Sequence, residues 1–155
     1  MFSLQVQKAS KRFHREWIFK NLDLELSAGD ALAITGNNGS GKSTLLKCLS
    51  GAIPLTQGSI EYRLGTTLLP EESWFRSLAI ATPYLELPEE FTLNEALSFH
   101  FQFKKPLNQL STQEILAILG LEKHQSKSIS QFSSGMKQRV KLALAIFCGV
   151  GNFAK

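Results

Sequence analysis

The sequence predicts an α/β fold, and three observations predict it. "ALAIT" at 31–35 is a short continuous apolar run, as expected of a strand covered on both faces, and it leads straight into a glycine-rich turn. "LAIAT" at 78–82 is a second such run, stopped by Pro83. Helical patterns follow both, two of them opened by capping boxes, Thr92-x-x-Glu95 and Ser111-x-x-Glu114. Buried-type strands separated by helices are the pattern of a layered α/β domain.

In chain order, "FSLQVQ" alternates and reads as a strand. "NLDLELSAG" puts Leu22, Leu24 and Leu26 on one face, a half-buried strand ended by Ala28 and Gly29. Residues 43–50 read as a helix with Leu45, Leu46 and Leu49 as its apolar stripe and Gly51 just past its end. "TQGS" at 56–59 reads as a turn before the strand "SIEYR". The capping boxes open "LNEALSFHF" and "TQEILAIL", the second closed by Gly120. A loop rich in Ser, Lys and Gln leads to "FSSGMKQRVKLALAIF", where Met136, Val140, Ala143, Leu144 and Phe147 share one helical face.

Composition narrows the class. One domain's worth of chain, 43% hydrophobic and 19% charged, is ordinary for a globular protein. The net charge of +4 is too small to argue alone for nucleic acid, and none is expected as a partner. Cys48 and Cys148 stand far apart in no ligand spacing and read as packed thiols of a reducing compartment. The longest apolar run, "LALAIFCGVG", is half of what a membrane span needs.

The chemistry sits at 36–44, "GNNGSGKST". Gly36-x-x-x-x-Gly41-Lys42-Ser43 matches the phosphate-binding loop in full. Its glycines allow positive φ and let the backbone curl around a phosphate without a Cβ in the way. The amides of Asn37, Asn38, Gly39 and Ser40 can then point inward, and the helix that follows presents its positive end to the anion. Lys42 can reach the β- and γ-phosphates, Ser43 can bind Mg²⁺, and Thr44 continues the helix start. No guanine-reading NKxD pattern exists, so ATP is the expected nucleotide.

Almost a hundred residues on, "FSSGMKQR" at 132–139 completes a pair of motifs. Here the chain resembles the ATP-binding cassette (ABC) ATPases, whose signature reads LSGGQ-x-x-R or a variant. Phe132 takes the Leu position, Ser133 and Gly135 match, Ser134 stands where the first Gly is usual, and Met136 replaces the Gln. The resemblance runs from the first strands to about Phe147. It implies the ABC type of P-loop NTPase fold, with an N-terminal antiparallel β subdomain and a helical signature subdomain. The expected boundaries are 1–82 for the β subdomain and P-loop core, 83–147 for the helical subdomain, and 148–155 for an aberrant tail. In that family two subunits sandwich ATP, and each P-loop faces the partner's signature. The resemblance thus implies a second nucleotide-binding subunit, a membrane permease engaged around Glu86–Phe91, and a cytoplasmic place against the membrane. Phe13, 23 residues before Gly36, stands where the family commonly stacks an aromatic on adenine. Trp17 is the alternative, and an ordinary exposed strand-end aromatic is the third reading.

The sequence also departs from the family. Pro83 or Tyr84 stands where a Gln is usual, and Glu86 is the nearest loop carboxylate. The family continues past the signature helix to an apolar strand ending in Asp-Glu and, later, a His. Here no Asp or Glu follows Glu122, and His14, His100 and His124 all precede the signature. The resemblance therefore implies a core sheet lacking strands and a C-terminally truncated form that does not hydrolyse ATP. Unsatisfied buried backbone groups cost about 1–3 kcal/mol each, against a domain stability of about 5–15 kcal/mol. The expectation is a transporter ATP-binding subunit of low stability. The alternatives are a non-transport ABC ATPase and a non-catalytic nucleotide-binding module.

Overall fold

The computed structural model describes residues 1–82 and 86–149. They form two compact units, Met1–Phe75 and a second from Arg76 onward.

The first unit is an antiparallel four-stranded sheet of order β2-β1-β3-β4 carrying one helix. Strands β1 (Phe2–Phe13) and β2 (Glu16–Ser27) make a long hairpin. The alternation of Leu22, Leu24 and Leu26 survives as alternating half-buried and exposed positions. Strand β1 outruns its sequence pattern because it is bulged. Its pairing with β2 shifts between Val6 and Ala9, again between Ala9 and Lys11, and again between Lys11 and Arg12. The first shift puts the extra residue on β1 and the other two put it on β2, and along this irregular stretch Ala9, Ser10 and Lys11 are buried in succession, which a regular strand forbids.

Strand β3 (Gln57–Leu64) pairs with β1 on its other side. Gly58 lies inside this strand, not in a turn before it. Its φ is +87°, and a Cβ there would lie 2.4 Å from the carbonyl oxygens of Gln7 and Lys8. The bulge of β1 therefore requires glycine opposite it. The short β4 (Thr67–Leu69), unforeseen from the sequence, closes a hairpin on Gly65.

Helix α1 (Lys42–Leu49) packs beneath the sheet through Cys48 and Leu49. Leu46 does not belong to its buried stripe, being 54% exposed, and Cys48 takes that place. Ser50 caps the helix and Gly51 follows in the left-handed region. Tyr62 donates its hydroxyl to the Leu49 carbonyl at 2.8 Å, and Trp74 meets its ring edge-on at 4.9 Å. Burial pushes the Tyr62 phenol up to about 12, so it stays a donor. Trp74 opens the single-turn helix α2 (Trp74–Ser77).

The second unit is helical. Helices α3 (Leu93–Phe103), α4 (Thr112–Leu119) and α5 (Ser134–Ile146) enclose a core that includes Leu93, Leu97, Ile115, Leu116, Ile129 and Val140. Both capping boxes form. Thr92 Oγ1 accepts from Glu95 N and Ser111 Oγ from Glu114 N, each at 3.2 Å, while each glutamate accepts from the cap's backbone amide. Gly120 ends α4 in the left-handed conformation. On α5 the shared face is real: Val140, Ala143 and Leu144 are buried and Met136 and Phe147 pack against the core. Both thiols are free and buried. Past α5, Cys148 bridges Pro106 and Gly149 N donates to the Lys105 carbonyl at 2.8 Å.

Two predicted strands are absent. Residues 31–35 and 78–82 are in no strand, and Leu32 and Ile80 are 47% and 49% exposed. An apolar run becomes a strand only when another strand satisfies its amides and carbonyls. Among the described residues none pairs with either run. The core sheet expected around the glycine-rich turn is thus not formed by these residues. The expected glutamine position, Pro83 or Tyr84, lies outside the described residues.

Candidate nucleotide-binding site

The loop from Gly36 to Gly41 is closed by its own backbone. Ser40 N donates to the Asn37 carbonyl at 3.2 Å, and a Cβ on Gly36 would lie 2.8 Å from Ser40 Oγ. Gly41 is the N-cap of α1, at φ 92° and ψ 4°, and supplies no side-chain cap. No acidic residue stands in the first turn of α1. The first amides of a helix lack intrahelical partners and carry partial positive charge, so this start is left open to an anion.

Gly41 owes its place to a bulge in the neighbouring hairpin. Lys11 pairs with Phe19 and Arg12 with Trp17, which leaves Ile18 as the extra residue. Such a bulge re-aims a side chain. Ile18 turns onto the loop so closely that a Cβ on Gly41 would lie 2.4 Å from Ile18 Cγ2.

Lys42, the first residue of α1, folds back over the loop. Its Nζ donates to the carbonyls of Gly36 and Asn37, each at 2.8 Å. The ammonium is thereby fixed above the curled backbone rather than free in solvent. Asn37, Asn38, Gly39, Ser40 and the hydroxyl-bearing Ser43 are exposed, and Thr44 is half-buried. Gly36–Thr44 thus form one continuous loop and helix start.

The two aromatic candidates differ in surroundings. Phe13, at the end of β1, is 45% exposed and carries Lys11 Nζ 4.9 Å from its ring centroid. Trp17 is half-buried, with Arg12 Cζ at 5.1 Å and Lys20 Nζ at 4.6 Å from its ring centroid.

In the second unit Ser133 is the N-cap of α5, and its hydroxyl accepts from Met136 N at 3.3 Å. Ser134 and Gly135 are exposed on the first turn, while Phe132 is buried beneath them. Lys137 forms an ion pair with Glu89 on the loop before α3. The Glu89 carbonyl accepts from Ser128 Oγ at 2.7 Å and Ser130 N at 3.0 Å. These contacts tie the start of α5 to the segment Glu86–Phe91, whose Glu86 is exposed. Ile18, Lys11 and the Glu89–Lys137 pair escaped the sequence reading, because no residue pattern marks a bulge or a long-range ion pair.

Among the described residues no cluster of three His, Cys, Asp or Glu side chains could hold a metal, and no helix is long and apolar enough to cross a membrane.

The family described as ABC transporter matches residues 19–151. The chain belongs to that family. It is 31% identical over 144 residues to the uncharacterized ABC transporter ATP-binding protein YybJ of Bacillus subtilis (strain 168), covering 93% of this chain and 66% of that protein. It is 33% identical to the cytochrome c biogenesis ATP-binding export protein CcmA of Pseudomonas putida, covering 91% and 68%. It is 35% identical to the energy-coupling factor transporter ATP-binding protein EcfA1 of Levilactobacillus brevis, covering 79% and 46%. The chain thus spans between 46% and 68% of the length of these three relatives. A solved ATP-binding subunit of an ABC transporter superposes with a TM-score of 0.75 at 28% identity, over 92% of this chain and 60% of that one. The antiparallel sheet with its P-loop helix and the three-helix unit are therefore parts of an ABC-type P-loop fold.

Proposed function

We propose that this chain is the nucleotide-binding part of an ABC transporter ATP-binding subunit and that its P-loop holds Mg-ATP. The observation that carries this reading is the pairing of Lys42 with an open helix start. The ammonium sits over the Gly36 and Asn37 carbonyls while α1 begins without a side-chain cap or an acidic residue. These groups fit a polyphosphate, since an ammonium and the uncapped positive end of α1 meet at the loop. Gly36 to Thr44 would hold the phosphates, and Ser43 would supply a hydroxyl ligand to Mg²⁺. The metal, when bound, neutralises phosphate charge. Phe13 would stack on adenine, the more exposed of the two aromatics.

By analogy with the family, Ser133, Ser134, Gly135 and Met136 would face the nucleotide of a second nucleotide-binding subunit. A membrane permease would dock near Glu86–Phe91, placing the subunit at the cytoplasmic face of the membrane.

The test is retention of labelled ATP on a filter, with Mg²⁺ present. Retention that Lys42→Ala abolishes is the expected result, and absence of retention contradicts nucleotide binding.

A further inference from the structure

Lys11 is a buried cation in the β1–β2 hairpin, 8% exposed. A buried ammonium needs compensation, since desolvating it costs several kcal/mol (order of magnitude). Among the described residues two groups provide it. Lys11 Nζ donates to the Pro54 carbonyl at 2.6 Å, and it stands 4.9 Å from the centroid of the Phe13 ring. Pro54 lies in the segment that leaves α1, and that segment is tied to the same stretch of β1 twice more. Thr56 N donates to the Ser10 carbonyl at 2.9 Å, and Arg12 N donates to Thr56 Oγ1 at 3.0 Å. The ammonium also lies near the helix itself. Burial pushes the Cys48 thiol up, and the charge of Lys11 opposes that shift.

Lys11 meets the Phe13 ring, while Arg12 meets the ring of Trp17. Lys11 thus reaches inward to Pro54 while its ammonium lies against one face of an aromatic that is 45% exposed. The neighbouring bulge residue, Ile18, is in contact with the P-loop at Gly41. The Phe13 ring is thereby held by a tether whose other end belongs to the segment following the P-loop helix.

We propose that Lys11 is a positioning residue that holds the Phe13 ring, through a cation–π contact anchored on the Pro54 carbonyl, so that its open face receives the base of the nucleotide. The proposal rests on the nucleotide-binding reading above. Lys11 itself touches no part of the ligand. Its contribution is to cut the rotamer freedom that Phe13 would otherwise lose on stacking. The consequence is selective: the base contributes affinity through Lys11, and the phosphates do not.

Titration calorimetry of the 155-residue chain with Mg-ATP and with magnesium tripolyphosphate tests this. Lys11→Met is expected to weaken ATP by about three- to ten-fold, the scale of a cation–π contact, and to leave tripolyphosphate unchanged. Lys11→Arg, which keeps a donor and a cation over the ring, is expected to restore most of the loss. In a Phe13→Leu background Lys11→Met is expected to add nothing. An unchanged ATP affinity in Lys11→Met, an equal loss for both ligands, or full additivity with Phe13→Leu overturns the proposal while leaving nucleotide binding intact. If the wild-type chain binds neither ligand, the nucleotide reading itself fails. Should Lys11→Met not fold, proton NMR of the wild type decides. The Lys11 ε-methylene resonance is expected upfield under the Phe13 ring current and is expected to return to its ordinary position in Phe13→Leu. An unshifted resonance overturns the proposal.

Discussion

Ile18 and Gly41 are in contact so close that no side chain fits between them: a Cβ on Gly41 would lie 2.4 Å from Ile18 Cγ2. Gly41 also sits at φ +92°, where other residues are strained. The contact joins the hairpin bulge to the start of α1, so the shape of the phosphate loop depends on a strand residue more than twenty positions earlier.

Gly41→Ala is therefore expected to be destabilising by at least about 2 kcal/mol, through left-handed backbone strain and overlap with Ile18. Urea unfolding measures the loss. Adding Ile18→Ala is expected to recover only part of it, because the overlap is relieved and the backbone strain is not. Full recovery would show that φ at Gly41 is not constrained.

The capping boxes give a second prediction. Thr92→Ala and Ser111→Ala are each expected to cost about 1 kcal/mol. Hydrogen bonds from the backbone and side chain of Thr92 hold the Glu95 carboxyl below its ordinary value of 4.5, and Ser111 does the same for Glu114. A lowered carboxyl pKa stabilises the fold above the ordinary value, and the benefit is lost as pH falls below 4.5 through the folded value. Melting curves are expected to show that Glu95→Gln differs from wild type above that range and converges with it below. A difference that persists at low pH would contradict the assignment.

His100 behaves with the opposite charge. Burial lowers its pKa first, the nearby Lys104 ammonium adds to this, and a hydrogen bond to the Leu144 backbone partly opposes both. Among the described residues its buried Nε2 has no hydrogen-bond partner. The folded protein thus prefers the neutral ring, whereas the unfolded chain takes up a proton near 6.5. Stability is expected to be intact above that pH and to erode as pH falls below it. Thermal unfolding of His100→Gln is expected to lose this slope between about pH 6.5 and 5. An identical slope in both proteins would remove His100 as its source.

These outcomes separate what the sequence carries from what it does not. Thr92-x-x-Glu95 and Ser111-x-x-Glu114 were readable because a capping box is complete within four residues. So was the P-loop, whose glycines and Lys42 act on their own backbone. "ALAIT" and "LAIAT" were not, because apolarity says that a segment wants burial and not who will pair with it; neither forms a strand here. Leu46 was misplaced for a similar reason, since helical spacing cannot say which side of α1 meets the sheet, and Cys48 faces it instead. The register shifts of β1 against β2 and β3 lie beyond any local pattern, and with them the contacts of Ile18, Gly58 and Lys11.

The central claim is that this loop binds Mg-ATP through Lys42. Titration calorimetry of the 155-residue chain with ATP and Mg²⁺, for wild type and Lys42→Ala, tests it most directly. A saturable heat in the wild type that is lost in Lys42→Ala, with both proteins melting at the same temperature, is the predicted result. No heat in the wild type, or equal binding by a folded Lys42→Ala, would contradict it.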